Sequence, residues 1–563
     1  MKLLVLGGYG VFGGRLARLI SDMPELEVLI CGRDPERAAA FCATCDGPAR
    51  FRPLRLDRAA IAQALAVERP DLVVDASGPF QLYGEDCYGV VRACIAARTD
   101  YMDFADGADF VSGVSRFDAD ARAAGIHVLS GVSSFPVLTA AVLRRMAETM
   151  EIVSVEGGIA PSPFAGIGLN VMRAVIGYAG APVRLRRNGV TTEAIGLAES
   201  MRYTIAVPGR LPLRNIHFSL VDVPDLQVIP PEHDTLKDIW MGAGPVPEVL
   251  HRALNLLARA RSTFGLPSMV PLAGLFYRVL NLMRFGEHRG GMFVQARGIR
   301  DGQEVTQGWH LLAEGDDGPF IPSMAIEAII RKSVAGARPE PGARPATRAL
   351  ELDDYERLFE GRTIYSGMRS PEPQTAPLYR KILGTAFEAL PDRVRALHQP
   401  TETREWTGHA RVRRGTGWGA NAIARLLGFP GGADRVPVSV VLSPRQGGEL
   451  WTRNFGGSNF SSIQECGTGR NDHLLIERFG PVSVALALVL AEDRLFLVPR
   501  SWSFLGIPLP RLLLPDGTSF ETEVDGKFRF DVEISMPLLG LIVAYKGDLT
   551  EIEPAAPSPD GAA

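Results

Sequence analysis

Apolar residues follow two different rhythms along this chain. In the N-terminal stretch, short strand-like runs (2–6, 27–33, 50–57, 71–77, 100–104 and 126–130), the first of them with no polar face, alternate with segments of helical spacing at 15–20, 35–41 and 87–98. Runs that are apolar on both faces suit strands of a parallel sheet covered by helices on both sides. Past a helix predicted over 378–390, strands separated by turn residues dominate: 407–413, 436–442, 449–455, 474–479, 482–490, 495–501, 519–524, 527–534 and 541–545. A helix at 415–427 is predicted under that sheet, with Trp406, Trp418, Trp451, Trp502, Phe455, Phe460 and Phe504 as an aromatic interior. Between the two regions the pattern loosens. Segments 201–207 and 217–223 alternate like half-buried strands, 291–298 and 305–312 form a predicted hairpin about Asp301-Gly302, and 325–334 reads as a helix.

These elements predict an α/β chain in three parts. A doubly wound parallel sheet occupies 1–130, a second α+β domain 131–369, and a strand-rich α+β domain 383–550, reached through the proline-rich linker 370–382. The Pro- and Ala-rich end, 551–563, is expected to be disordered.

The candidate chemistry starts at the end of the first strand. Gly8-Tyr9-Gly10-Val11-Phe12-Gly13 places glycines at G-x-G-x-x-G spacing between a strand and a helix. A first glycine turns the chain, a second lets backbone approach a pyrophosphate, and a third lets helix pack on strand. The free N–H groups and positive dipole end of the helix then face the phosphates. This context predicts a Rossmann dinucleotide-binding domain. The second strand ends in Arg33 and then Asp34. A guanidinium forks onto a 2′-phosphate that a carboxylate would repel, so NADP(H) is the expected cofactor, with NAD(H) left open. Asp34 also has the position of a helix cap. Asp57, at the end of the third strand, is placed to reach the adenine amino group, and Ser77, Gly78 and Pro79, after the fourth, to border the nicotinamide ribose. Tyr101 and Asp103, after the fifth, are the candidates for proton transfer near the nicotinamide.

Five segments in order carry a family resemblance: Gly7-Gly-Tyr-Gly-Val-Phe-Gly13, Ser77-Gly-Pro-Phe80 with Gly84, Ala93-Cys94, Asp100-Tyr-Met-Asp103 and Gly131-Val-Ser-Ser-Phe-Pro136. Together they resemble the saccharopine dehydrogenase-like oxidoreductases. The resemblance implies an NADP-type Rossmann domain joined to a second α/β domain. The chain departs where relatives often carry a glutamate after Y-x-D, offering Ala105-Asp-Gly-Ala-Asp109 instead. The C-terminal runs beginning at His409, Glu449, Glu477 and Ile507 resemble an uncharacterised domain often fused behind such proteins, from which no activity follows. Trp451, Arg453 and Glu477 are pocket candidates there, although an Arg and a Glu on facing strands more commonly make an ordinary ion pair on a sheet face.

Composition narrows the partners. With 563 residues, 46% hydrophobic, 22% charged and net charge −4, the chain has no basic excess to attract nucleic acid. Six scattered cysteines read as thiols of a reducing compartment, and Cys42-Ala-Thr-Cys45 has no second pair to complete a metal site. The first apolar run is too short for a signal peptide, so a cytoplasmic protein is expected. Segment 266–283 approaches membrane-spanning length, but Pro267, Pro271 and Arg278 interrupt it. A helix in a membrane surface, the lining of a greasy pocket, domain core and a homodimer contact all stay open for it. His127, His217 and His310 lie in strand-like runs and read as core histidines. The leading expectation is hydride transfer to or from a small, hydrophobic or lipid-like carbonyl or imine substrate, because the middle domain shows more grease than clustered arginine. The alternatives are a non-catalytic scaffold holding a nucleotide while its C-terminal domain binds lipid or a protein partner, and a membrane-surface adaptor using 266–283.

Overall fold

The computed structural model describes residues 1–552 apart from 81, 82, 85, 167, 246, 284 and 401. The expected disordered tail, save for Glu551 and Ile552, lies outside the described residues. Two compact units emerge: 1–205 with 216–367, and 206–215 with the chain from 368 onward.

The first unit opens with six parallel strands: β1 (Lys2–Leu6), β2 (Glu27–Gly32), β3 (Arg50–Arg55), β4 (Leu72–Asp75), β5 (Asp100–Asp103) and β6 (His127–Ser130). Their order in the sheet is β3-β2-β1-β4-β5-β6, the doubly wound order of dinucleotide-binding folds. A seventh parallel strand, Gly342–Pro345, returns from far down the chain to pair with β6. Leu3–Leu6 and all of β4, β5 and β6 are buried, as runs apolar on both faces require.

A second, mixed sheet runs in the order Ser200–Ile205, Leu213–Leu220, Asp238–Ala243, Glu151–Ala160, Arg289–Arg300, Gln303–Glu314 and Ile364–Arg369. The predicted hairpin is present. Arg300 pairs with Gln303, and Asp301 and Gly302 take φ of 50° and 77°, the left-handed pair that suits the twist of a two-residue turn. His127 is buried with Nδ1 3.2 Å from Asp100 Oδ1, and the ring of His217 bonds Asn255 at 3.0 Å.

In the second unit, ten of eleven antiparallel strands close into a barrel. The ring runs Val482–Ala491, Leu475–Phe479, Ser458–Cys466, Gly448–Phe455, Ala433–Arg445, Arg404–Arg414, Gly540–Glu551, Lys527–Met536, Ser519–Val524 and Arg494–Phe504, and the last strand pairs with the first. The short strand Ile507–Pro508 hangs outside the ring on Arg494–Phe504. Sequence pattern missed Ser458–Cys466 because its inward residues after Phe460 are Ser462 and Gln464, polar where alternation calls for apolar.

Closure decides where the C-terminal pocket candidates stand. Trp451, Arg453 and Glu477 all line the barrel lumen, and Arg453 and Glu477 pair there, their side chains keeping only 11% and 10% of their exposure. The expected aromatic interior, in contrast, is not wholly internal. Trp406, Trp451, Phe455 and Phe460 are buried, but Trp418, first residue of the helix Trp418–Leu426, is 89% exposed, and Phe504 is also exposed.

Candidate functional site

The glycine loop has a geometry that only glycine tolerates. β1 runs straight into Gly7, whose φ is +71°, and a Cβ there would stand 2.7 Å from the Ala76 carbonyl oxygen. A Cβ on Gly13 would stand 2.6 Å from the Gly7 oxygen, so the helix α1 (Val11–Leu19) lies against the strand end. The Gly10 amide donates to Gly7 O at 2.8 Å, and no side chain caps α1. The first N–H groups of the helix thus face a bare backbone cradle that a diphosphate fits. Ser323 Oγ donates to Phe12 O at 3.2 Å and Arg15 Nη2 to Ala165 O at 2.7 Å, bracing the loop against the second sheet's side of the unit.

At the end of β2 the acidic residue is committed elsewhere. Asp34 Oδ1 accepts from the amides of Glu36 and Arg37 at 3.1 and 3.0 Å, capping the helix Pro35–Cys42. Arg33 is exposed and makes no ion pair among the described residues. Tyr9 covers Gly32, where a Cβ would meet its ring at 2.2 Å, and its hydroxyl accepts from the Asp34 amide at 3.2 Å. Asp57 is exposed and caps a short turn through Ala59 N at 3.1 Å.

After β4, buried Asp75 ties the loop down. Its Oδ1 accepts from the Ser77 amide at 3.0 Å and from Ser77 Oγ at 2.5 Å, and Ser77 Oγ also meets the Tyr83 hydroxyl at 2.8 Å. Burial raises the Asp75 carboxyl above its ordinary range, against the pull of these bonds. Gly78 O accepts from Asn170 Nδ2 at 2.7 Å, and Pro79 follows, half-buried, on the same loop.

Neither proton-transfer candidate reaches open space, which corrects that expectation. Tyr101 is fully buried in an apolar cluster with Val73, Cys94 and Val128, and burial raises its phenol well above the usual value. Asp103 is fully buried as well. Its Oδ1 accepts from the amides of Ala105 and Gly131 at 2.9 and 2.7 Å and from Ser130 Oγ at 3.1 Å, while Oδ2 has no partner. Burial pushes this carboxyl up to about 7. Position at a strand end does not reveal which face a residue takes when both faces are covered.

Open space lies instead beside the glycine loop, in a cavity of about 550 Å³. One wall is Val11, Phe12 and Arg15 of α1 together with Ser133, Ser134 and Phe135 after β6. The other walls come from the helices Leu169–Tyr178, Glu248–Phe264 and Ala273–Leu282 and from strand ends of the second sheet. Segment 266–283 therefore contributes Leu275, Phe276, Val279 and Leu280 to a greasy pocket. No helix among the described residues is long and apolar enough to cross a membrane.

Few ionisable groups line this cavity, and sequence reasoning proposed none of them for the chemistry. Burial, with Asp109 and Asp106 nearby, lifts Asp222 to about 6. Burial, with Asp106 and Asp222 nearby, raises the Tyr178 phenol. Burial, then the neighbouring His217, lowers buried His251 to about 4, and neither ring nitrogen of His251 has a partner. Only Asp106 carried a signal, as part of the departure noted after Y-x-D.

A parallel sheet in this order, a bare glycine cradle and a cavity at the carboxyl ends of the strands define a dinucleotide-binding α/β domain. Residues 3–129 match the model of the saccharopine dehydrogenase NADP binding domain, and residues 390–549 match that of a domain of unknown function, DUF4166. The N-terminal part is thus similar to a saccharopine dehydrogenase NADP binding domain, and a segment similar to DUF4166 follows it in the chain. No curated protein matches the chain. Among solved structures it is similar to the saccharopine dehydrogenase (L-Glu forming) of Saccharomyces cerevisiae, at 14% identity over 66% of this chain and 99% of that one, with a TM-score of 0.46. The amine dehydrogenase of Mycobacterium smegmatis is similar at 11% identity over 62% and 95%, with a TM-score of 0.32. A Thermus thermophilus dehydrogenase in complex with NAD and alpha-ketoglutarate is similar at 11% over 64% and 99%, with a TM-score of 0.30.

Proposed function

We propose that this protein is an NADP(H)-dependent oxidoreductase that moves a hydride to or from a small, apolar carbonyl or imine substrate held in the cavity beside the glycine loop. The observation that carries the proposal is the composition of that cavity: residues of the nucleotide loop form one wall, and apolar helix faces form the others. Its size falls within the roughly 300–1,000 Å³ of small-molecule sites. The bound coenzyme supplies the hydride chemistry, and the protein supplies binding, orientation and exclusion of water.

The chain's own residues divide these tasks. The amides that open α1 hold the diphosphate, and Gly10 and Gly13 keep side chains out of its way. Arg33 takes the 2′-phosphate, a role supported by the commitment of Asp34 to its helix cap, which leaves no free carboxylate to favour a bare ribose. Ser77, Gly78 and Pro79 border the nicotinamide ribose, and the apolar helices seat the substrate. Reducing a C=O or C=N bond consumes one hydride and one proton. Asp222, which keeps its proton to about pH 6 at the cavity wall beside Tyr178, donates the proton.

The test is turnover of NADPH and of NADH across medium-chain aldehydes, ketones and imines, with wild type and Arg33→Asp. NADPH oxidation is expected with apolar acceptors. Arg33→Asp should weaken NADPH at least about tenfold more than NADH, the loss of a forked charge-assisted contact. Tight coenzyme binding with no turnover of any acceptor would favour the nucleotide-holding scaffold instead, and equal loss of both coenzymes would remove the phosphate role of Arg33.

A further inference from the structure

The lumen of the C-terminal barrel is a second cavity, and nothing in the oxidoreductase reading uses it. We infer that it is a binding site for an apolar molecule with one uncharged hydrogen-bonding end, such as a long-chain alcohol. The inference does not depend on the activity proposed for the first unit.

Strand number makes the space. Barrel diameter grows with the number of strands, and about eight already leave an interior that side chains just fill or that holds one small ligand. Here ten strands close the ring, and a cavity of about 370 Å³ remains inside. Val440, Phe455, Leu486, Leu497, Phe528 and Phe530 are among the residues that face it. An apolar void of this kind forfeits packing contacts unless something fills it.

Much of the polar wall is already tied up in side-chain hydrogen bonds. Glu477 Oε1 accepts from Ser462 Oγ at 2.7 Å, from Arg453 Nη2 at 3.1 Å and from Gln464 Nε2 at 3.2 Å. Arg453 Nη1 also donates to Ser462 Oγ at 2.8 Å, and its guanidinium lies over the rings of Trp451 and Phe460 at 4.9 and 5.5 Å. Glu521, elsewhere on the wall, is held by His398 Nε2 at 2.5 Å. Asp516 and Glu533 line the cavity too, so carboxylates outnumber the one lining guanidinium. A ligand bringing its own negative charge would meet acids and an arginine already paired. One bringing a hydroxyl finds remaining N–H donors on Arg453 and an acceptor in the Glu477 oxygen that takes none of these three bonds.

The way in is apolar as well. Leu426 and Phe504 both line the lumen and are exposed, which marks the mouth near the helix Trp418–Leu426. The large exposed side chains of Trp418, Leu505, Ile507, Leu512 and Leu538 belong to the same helix, to the short strand Ile507–Pro508 and to connecting segments in this unit.

The test uses the full chain, the neutral fluorophore N-phenyl-1-naphthylamine, and dodecanol and dodecanoate as competitors at pH 8. The fluorophore should brighten on binding, and dodecanol should displace it at least tenfold more tightly than dodecanoate. Leu497→Trp, which fills the lumen, should weaken dodecanol at least tenfold, whereas Ala174→Trp, which fills the first cavity, should leave this component unchanged. Equal or tighter binding of dodecanoate would overturn the uncharged end, and a signal lost only in Ala174→Trp would overturn the site. Should Leu497→Trp fail to fold, a diazirine-bearing dodecanol on the unaltered protein decides. Crosslinks on strands carrying Val440 or Leu497 support the site; crosslinks confined to 168–280, or none, overturn it.

Discussion

The cavity beside the glycine loop takes its walls from loops, several helices including α1, and the ends of a mixed sheet, scattered from Val11 to Pro322. The barrel lumen takes its walls chiefly from alternate residues of one closed sheet, all between Ile423 and Leu549. The two also treat charge differently. In the first, Asp222 and His251 face the space, and burial shifts both away from their ordinary values. In the lumen, Arg453 pairs with Glu477, and Glu521 pairs with His398. Unpaired ionisable groups in a cavity are poised to exchange a proton, whereas paired ones shape and orient. The contrast supports the chemistry proposed for the first space and the holding inferred for the second.

The largest effect that would break this contrast is on stability. Arg453→Met leaves Glu477 buried beside Ser462 and Gln464 without its countercharge, which should cost about 3–5 kcal/mol of the second unit's stability. Replacing both partners, as Arg453→Met with Glu477→Gln, should recover most of it. Urea unfolding followed through Trp451 and Trp406 measures both. A cost under about 1 kcal/mol for the single change would mean that water reaches the pair as it does at a surface.

Next comes the proton. With Asp222 as donor, carbonyl reduction should be fastest below pH 6 and decline as pH rises through about 6, because only the protonated carboxyl can give the proton. Asp222→Asn should lower kcat about 100-fold and flatten that decline. A variant that keeps the wild-type pH profile would move the donor elsewhere, with Tyr178 the first alternative on the same wall.

What the sequence disclosed follows the same division. β1 and the glycine loop were legible because strand, turn and helix lie within twenty residues and each glycine answers a local steric demand. The barrel strands were mostly legible from alternation, which tells that a sheet has two faces. Alternation does not tell that the sheet closes, so a pocket and an ordinary ion pair on a sheet face both stayed open for Arg453 and Glu477. Asp222 and His251 gave no local signal: their loop and helix become a wall only after distant segments pack together. Tyr101 and Asp103 were proposed for proton transfer near the nicotinamide because sequence does not show that a strand covered on both sides has no open face.

Asp103 supplies the smallest of these effects and the sharpest sign. Its carboxyl ordinarily loses its proton near 4, but burial holds it to about 7 in the fold, against the bonds from Gly131, Ala105 and Ser130. Between those values the folded chain keeps a proton that the unfolded chain has released. Stability contributed by this group is therefore complete below about pH 4 and lost as pH rises through about 7. Asn at this position retains the oxygen that accepts three hydrogen bonds and cannot ionise. Asp103→Asn should consequently reduce the loss of stability between pH 5 and pH 8 by about 1–2 kcal/mol, read from hydrogen exchange of peptides covering β5 and β6. An unchanged pH slope would mean that the carboxyl ionises inside the fold without penalty. Asp103 would then belong with the charge-bearing groups of the first cavity rather than with the scaffold that positions the turn at Gly131.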